Sequence, residues 1–278
     1  MLTDLWNYLT TTKNWSGRSG LGANILQHLL YTGVAIGFGL LIAVPLGLLI
    51  GHTGKGSAIV LGAVNAGRAL PTFGLMVLLY ILISPLFTYR TVLVQLLPVG
   101  IVLLLLAIPP ILSNTFAGVQ SVDPAVKDAA LGMGMTGRQL MFGVELPIAF
   151  PLMMSGVRSA TLQVVATATV GAYVGLGGLG QPIFAAIRQG PFQDTPTGHV
   201  ITGRLLAGAF LVAALALVLD LILATIQRLG TSRGISQRYR RSHTPGPADT
   251  AVSTQDAVEA FVESKEGHAP PVPSVGSR

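Results

Sequence analysis

The sequence predicts an all-α protein, a bundle of transmembrane helices that crosses a bilayer about five times. Apolar residues make up 51% of the 278 residues, whereas charged residues make up only 10%. A soluble domain usually carries about 25% charged residues. The apolar residues also form unbroken runs that are long enough to cross a bilayer, and the mean hydropathy is +0.65. These observations favour a polytopic membrane protein over a soluble one.

The composition divides the chain into three parts. Residues 1–20 are polar and mixed and form an N-terminal lead-in, in which Trp6, Tyr8 and Trp15 are candidate anchors at the membrane interface. This lead-in has no basic segment followed by an apolar one, so we expect no cleaved signal peptide. Residues 21–229 form the transmembrane domain. Residues 230–278 contain a cluster of arginines between positions 233 and 241 and then many prolines, serines, glycines and acidic residues, which predicts a disordered cytoplasmic tail.

The apolar runs predict five spans, with a six-span arrangement as the alternative. The second run is longer than one straight span needs, and Arg68, Pro71 and Gly74 interrupt it. We interpret it as one span broken near Pro71; two short segments are the other interpretation. In order, the predicted spans cover residues 26–50, 57–86, 92–112, 148–174 and 205–226.

Two features of the first span predict its surroundings. Gly33 and Gly37 form a GxxxG pair, which favours the close approach of another helix. His28 lies near one end of the span. We expect this side chain at the membrane interface rather than in a proton relay.

Basic residues predict the orientation, because loops on the cytoplasmic side carry an excess of Lys and Arg. With five spans, the Lys and Arg residues outside the spans divide into a larger set on one side of the membrane and a smaller set on the other. The side with the larger set is the cytoplasm, which places residues 121–147 and the C-terminus inside and the N-terminus outside. A sixth span would move the N-terminus inside. This bias also explains the net charge of +6, so no nucleic-acid partner is expected. The larger set is Lys55, Lys127, Arg138, Arg228, Arg233, Arg238, Arg240 and Arg241, and the smaller is Lys13, Arg18, Arg90, Arg188 and Arg204.

No motif for catalysis or nucleotide binding stands out. Gly175, Gly177 and Gly180 match the pattern GxGxxG, but they follow a predicted transmembrane helix rather than a strand, which favours a turn or packing role. The five histidines are scattered without metal-ligand spacing, and the chain has no cysteine. We therefore assign no catalytic residue, cofactor or metal. If the chain takes part in an energy-dependent process, the energy would have to come from a partner or from an ion gradient.

Residues 121–147 separate two long apolar stretches and are too structured for a simple turn. Asp123 is a candidate N-cap, and Pro124 follows it at the first helical position. We predict a short helix over residues 125–131, a glycine-rich break, and a second helical piece over residues 138–144. Together they would form a small helical unit in water.

The spacing within this segment resembles the EAA loop of ABC importer permeases. That motif has Glu-Ala-Ala, then Gly, then Ile-x-Leu-Pro. This chain has, at the same spacings, Asp128-Ala129-Ala130, then Gly134, then Val144-x-Leu146-Pro147. The replacement of Glu by Asp128 and of Ile by Val144 is conservative. The wider sequence is similar to permeases of the glycine betaine, carnitine and choline uptake systems, and the resemblance covers roughly residues 25–225.

The resemblance implies that the short helix docks on a cytoplasmic ATPase. Asp128 would accept hydrogen bonds from the ATPase or pair with one of its basic residues. Gly134 would let the chain reverse, and Pro147 would begin the next span with a fixed φ, so that a push on the helix moves that span. The alternative is a loop that only links two spans. The residues assigned to coupling are Asp128, Ala129, Ala130, Gly134, Leu146 and Pro147.

The resemblance also implies the partners and the substrate. The chain would be the permease subunit of a type I ABC importer in the cell membrane, paired with a second permease, identical or homologous, and with ATPase subunits. An extracytoplasmic binding protein would deliver a quaternary-amine osmoprotectant such as glycine betaine, carnitine or choline. Another small solute such as an amino acid is the alternative. A secondary transporter would usually show internal repeats and more spans, and a scaffold would leave the EAA spacing unexplained.

Three charged residues, Arg68, Arg158 and Asp220, lie in apolar surroundings, where an ionised group usually faces the interior or is paired. We predict that Asp220 pairs with Arg68 or Arg158; the alternative is that each arginine reaches the interface independently. Aromatic residues make up only 6% of the chain and do not cluster along the spans. The sequence therefore indicates no aromatic cage for a quaternary ammonium group.

Overall fold

The computed structural model describes residues 1–58, 60, 62, 71–87, 92–190 and 196–231. Every regular element within these residues is a helix, which confirms the predicted all-α class. Arg68 and the predicted tail from residue 232 onward lie outside the described residues. The helices are α1 (Leu2–Thr10), α2 (Leu21–Thr53), α3 (Thr72–Ile83), α4 (Val92–Gln120), α5 (Pro124–Gly132), α6 (Gly137–Leu140), α7 (Leu146–Val170), α8 (Gly180–Gln189) and α9 (Pro196–Gly230).

The described part of the chain contains four helical stretches that are long and apolar enough to cross a membrane. They are Leu21–Thr53, Leu93–Gln120, Gly137–Val174 and Thr197–Gly230. A fifth apolar stretch, Thr72–Leu86, is shorter and starts directly after Pro71, where we predicted a break. Residues 63–70, before this proline, lie outside the described residues.

The last transmembrane helix begins earlier than the hydrophobicity indicated. We predicted its span from residue 205, but α9 starts at Pro196. The polar residues before position 205 continue the helical hydrogen bonding beyond the apolar segment, because a helix does not have to end where the hydrocarbon ends. The stretch of weaker hydrophobicity before it contains a separate amphipathic helix, α8, which packs against α9.

Helix α4 is the centre of the bundle and packs against both α2 and α7. The contact with α2 uses small residues spaced four apart, which therefore lie on one face. A Cβ atom added at Gly47 would lie 2.7 Å from the Cβ of Thr115, and one added at Gly51 would lie 2.7 Å from the Cβ of Val119. The absence of a side chain at these glycines is what lets the two helices approach so closely.

Gly33 and Gly37 take no part in the contact between α2 and α4, and the described chain packs no helix against them. Both glycines are exposed, and a Cβ added at either would meet nothing within 4 Å. The contact face instead contains Gly39, where an added Cβ would lie 3.1 Å from the Cβ of Ala107. Gly37 precedes Gly39 by two residues, which is about 200° around an α-helix, so it faces away from α4.

The two ends of the bundle can be recognised from contacts between helix termini. At one end, Gly51 of α2 meets Val119 of α4, and Gly230 of α9 meets Phe150 near the start of α7. We call this the loop end, because α5 follows α4 there. At the opposite end, the start of α2 contacts the residues after α7, and α1 packs against the first turns of α9.

We predict that Gly47→Leu lowers the thermal stability of the purified chain, whereas Gly37→Leu does not. The leucine at position 47 would overlap Thr115, and overpacking of this kind costs about 1–3 kcal/mol. Thermal unfolding in detergent, followed by circular dichroism, measures the difference. Equal midpoints for the two variants would contradict the close α2–α4 contact.

Candidate functional site

Helix α5 starts and stops by local signals. The Asp123 side chain accepts a hydrogen bond of 2.9 Å from the Ala125 N–H, and Pro124 occupies the first helical position. At the other end, the Met135 N–H donates to the Ala130 carbonyl and the Gly134 N–H donates to the Leu131 carbonyl. Gly134 has a φ of +87°, the left-handed conformation that this capping pattern requires. The chain therefore reverses at Gly134, as the sequence indicated.

The second helical piece is not a separate element. A capping box at Thr136 and Gln139 starts α6 at Gly137, and the helix then continues through a π-helical turn, Met141–Glu145, into α7. Residues 138–144 are therefore helical and run into the next apolar stretch, as predicted, but they are the first turns of that helix rather than a short helix beside it. The wide turn directly precedes Pro147, whose ring would clash with a carbonyl one turn back in a regular α-helix. One helix thus runs from the loop into the membrane.

A buried carboxylate joins this helix to two others. The Glu145 side chain is 1% exposed, and its Oε1 lies 2.9 Å from Nζ of Lys127 in α5. Its Oε2 lies 2.6 Å from Nδ1 of His52, near the end of α2. The Gln120 side chain adds a hydrogen bond of 2.8 Å to the Gly51 carbonyl. The last turn of α2, helix α5 and the start of α7 are therefore held at one point.

Neither Glu145 nor His52 stands out in the sequence as a candidate site residue. The EAA pattern leaves the position before Leu146 open, and His52 is far from Glu145 in the chain. One feature of the sequence does point to Glu145, namely that this acidic residue directly precedes an apolar span. A carboxylate buried at such a place needs a cationic partner. Which cation supplies that charge is decided by helix packing.

The predicted coupling residues divide between two faces of α5. Asp128 and Ala129 are exposed, as are Leu131 and Met133, the latter by 76%. Ala130 is 3% exposed and faces the rest of the chain. The outer face therefore combines one carboxylate with apolar side chains.

The last two predicted coupling residues lie at the start of α7. Leu146 is half-buried against the small apolar cluster formed by Leu48, Val119, Ala149 and Met153, and Pro147 is exposed beside it. Leu146 thus continues the connection that Glu145 makes between α7 and the other helices.

We predict that Glu145→Gln loosens α5, whereas Asp128→Asn leaves it unchanged. Glutamine keeps the size of the side chain but leaves Lys127 without its counter-charge, at a cost of about 1–3 kcal/mol. Amide exchange measured by mass spectrometry should rise in residues 124–132 for Glu145→Gln alone. Unchanged exchange in that variant would show that the buried carboxylate does not anchor α5.

A second ion pair joins α7 to α9. The guanidinium of Arg158 donates from Nε and Nη2 to the two carboxylate oxygens of Asp220, each at 2.8 Å. It also donates to Oε1 of Gln227 at 3.2 Å, and Gln227 in turn donates to the Pro151 carbonyl at 2.7 Å. Of the two arginines considered for Asp220, the structure thus brings Arg158 against it. Arg68 lies outside the described residues.

We predict that Arg158 and Asp220 are energetically coupled. In a double-mutant cycle with Arg158→Ala and Asp220→Ala, thermal denaturation should give a coupling energy of about 1–3 kcal/mol, because either single change leaves one intramembrane charge unpaired. As a control, Ser159→Ala combined with Asp220→Ala should be additive. An additive Arg158–Asp220 cycle would mean that each charge is accommodated independently.

At the opposite end, three side chains of α2 hold the glycine-rich loop. Gln27 accepts from the Gly178 N–H at 3.1 Å, His28 Nδ1 accepts from the Leu179 N–H at 3.4 Å, and the Tyr31 hydroxyl donates to the Leu176 carbonyl at 2.9 Å. His28 Nε2 lies 3.0 Å from the Val165 carbonyl oxygen and donates to it. His28 is fully buried, so its side chain serves the packing of the loop on α2 instead of facing the surroundings of the bundle. The loop is a packed turn that closes on α2.

Fold and site together define a class: a multi-pass helical membrane subunit with a charged helical loop fixed to its core. The family model described as "Binding-protein-dependent transport system inner membrane component" matches residues 43–229. The chain belongs to this family, and it is therefore a transport subunit that resides in a membrane. This confirms the resemblance found in the sequence.

Curated relatives and solved structures agree with this assignment. The chain is 30% identical to the glycine betaine/carnitine/choline transport system permease protein OpuCB of Bacillus subtilis, over 75% of this chain and 88% of that protein. It is 33% identical to the carnitine transport permease protein OpuCB of Listeria monocytogenes, over 78% and 92% of the two chains. A chain of the MetNI methionine ABC transporter, in an inward-facing conformation, has the same fold, with a TM-score of 0.61, 22% identity, and coverage of 76% and 96%.

Proposed function

We infer that this chain is the permease subunit of an ATP-driven importer for quaternary-amine osmoprotectants. The substrate class follows from the curated relatives, which transport glycine betaine, carnitine and choline by name. The same names favour this substrate over an amino acid. ATP hydrolysis belongs to a cytoplasmic ATPase subunit, and an extracytoplasmic binding protein delivers the substrate. A second permease subunit, identical or homologous, completes the translocation pathway.

The observation that carries the coupling role is the two-sided construction of α5. Its inner side is fixed through Ala130 and through the Lys127–Glu145 ion pair. Its outer side presents Asp128 with Leu131 and Met133 to solvent. Exposed apolar side chains next to a charged group, outside the membrane-spanning segments, are typical of a protein interface. The ATPase is the partner that this face fits.

The connection from α5 to the membrane supports transmission of movement. Glu145 contacts Lys127 of α5 and is the last residue of the π-helical turn that leads into α7 without interruption. A displacement of α5 by the ATPase would therefore move the start of α7 and the end of α2 with it. The Arg158–Asp220 pair extends this connection to α9.

The loop end is the cytoplasmic end in this proposal. Lys55, Lys127 and Arg138 follow or belong to elements at that end. Four further arginines, at positions 233, 238, 240 and 241, come directly after α9, whose last residue lies beside Phe150. Basic residues close to the ends of spans favour the cytoplasm. The C-terminus is then inside and the N-terminus outside.

We predict that Asp128→Arg abolishes association with the cognate ATPase, whereas Lys55→Glu does not. Both variants reverse one exposed charge at the loop end, but only Asp128 lies on the outer face of α5. Co-purification of the co-expressed complex measures association, and circular dichroism checks that both variants are folded. Retention of the ATPase by Asp128→Arg would contradict docking through this face.

The transport function itself is tested with the complete importer in proteoliposomes. With ATP inside and the cognate binding protein outside, we expect uptake of radiolabelled choline, carnitine or glycine betaine. Uptake of an amino acid in place of all three would overturn the substrate class.

A further inference from the structure

Three aromatic side chains that are far apart in the sequence meet at the end of the bundle opposite to the loop. The ring centroids of Phe73 and Tyr173 are 5.2 Å apart with an interplanar angle of 74°. Those of Tyr173 and Phe184 are 5.9 Å apart with an angle of 68°. The rings come from α3, from the turn after α7, and from α8. We call these three residues the aromatic cluster.

The cluster is accessible and rests on a fixed support. Phe73 is 48% exposed and Tyr173 is 55% exposed, so the rings contact one another and still present surface to the outside. Tyr173 precedes the glycine-rich loop, which the side chains of α2 hold in place. Phe184 follows Gly180, where any side chain would collide with the Thr169 carbonyl. The backbone that carries these two rings is therefore positioned before a ligand arrives.

The exposed face of α7 leads to this cluster. Ser159, Gln163 and Ala166 are exposed along one side of the helix, together with Leu162, while the other side is buried against the bundle. A serine and a glutamine in the middle of a span are costly in contact with lipid, which favours a water-filled pathway or a neighbouring subunit on that side. Tyr173 is seven residues beyond Ala166, about two turns, and lies near the same side. The cluster therefore lies where this polar face reaches the end of the bundle.

The chemistry of the cluster fits a quaternary ammonium group. Such a group carries a permanent charge and has no N–H to donate, so carbonyls and amides recognise it poorly. The faces of aromatic rings attract it within about 6 Å of the ring centroid. A site made of rings alone is also weak, which a transport pathway requires, since the substrate must leave each site that it enters.

We propose that Phe73, Tyr173 and Phe184 form a transit site for the quaternary ammonium group at the outer mouth of the pathway. The inference rests on the proposed function, which supplies the substrate class and the orientation. The cation would occupy this site after the binding protein releases it and before it enters the pathway beside α7. A belt of aromatic residues facing lipid is the competing explanation, and it predicts no selectivity for charge.

The experiment uses the assembled permease–ATPase complex in nanodiscs, without the binding protein, and choline as the probe. Ligand-observed NMR of the choline methyl groups measures binding to this complex. We expect binding that weakens about fivefold to tenfold in Tyr173→Leu and is kept in Tyr173→Phe, because phenylalanine retains the ring. Phe38→Leu removes an equally exposed ring, 55% exposed, from α2 outside the cluster and should have no effect.

A second probe separates attraction of the charge from general apolar contact. In the uncharged isostere of choline, a tert-butyl group replaces the trimethylammonium group, and we expect at least about fivefold weaker binding of this compound. Equal binding of the two compounds, unchanged binding of choline by Tyr173→Leu, or no binding to the unmodified complex would each overturn the proposal.

These outcomes are distinguishable from failure of the proposed function. ATP-driven uptake of quaternary amines by the unmodified importer tests the function alone. Normal uptake, combined with equal choline binding by the unmodified complex and Tyr173→Leu, would overturn only the transit site.

Discussion

The charge on the buried Glu145 carboxylate is the constraint on which the loop end depends. A carboxylate that is 1% exposed is stable only with close cationic or hydrogen-bonding partners. Lys127 and His52 meet this requirement from two different helices, and neither could do so if α5 or the end of α2 were placed elsewhere. One buried charge thus determines the relative positions of three chain segments. In the proposed function, these segments receive and pass on the movement of the ATPase.

Close packing makes such a connection effective over the length of the bundle. Gly47 and Gly51 let α2 lie directly against α4, and Gly118 and Gly156 do the same between α4 and α7. Helices in van der Waals contact along several turns move together, because interiors packed at this density resist deformation. The bidentate Arg158–Asp220 pair adds a polar tie to α9 inside the apolar region. The bundle therefore combines apolar contact with a small number of polar ties between helices.

The two ends of the bundle differ in the kind of surface that they offer. The loop end presents a carboxylate and apolar side chains on a helix that stands outside the core. The opposite end presents aromatic rings on a backbone held by side chains of α2. A coupling function requires the first kind of surface, and the proposed passage of an organic cation requires the second. Helix α7 connects them, because it begins directly after Glu145 and ends before Tyr173.

The sequence by itself determined the properties that depend on neighbouring residues. Long apolar runs predict membrane helices, Asp123-Pro124 predicts the start of α5, and the spacing from Asp128 to Pro147 identifies the family. Only the tertiary structure decided which residues meet across helices. It paired Asp220 with Arg158, buried His28, placed His52 and Lys127 against Glu145, and brought three separate aromatic residues together. The physical reason is that helix formation follows local hydrogen bonding and hydrophobicity, whereas the partner of a buried charge depends on the rotation and crossing of whole helices. The choice of Gly39, Gly47 and Gly51 rather than Gly33 and Gly37 for the contact with α4 has the same origin, because glycine spacing indicates that a helix can be approached closely but not which neighbour uses which face.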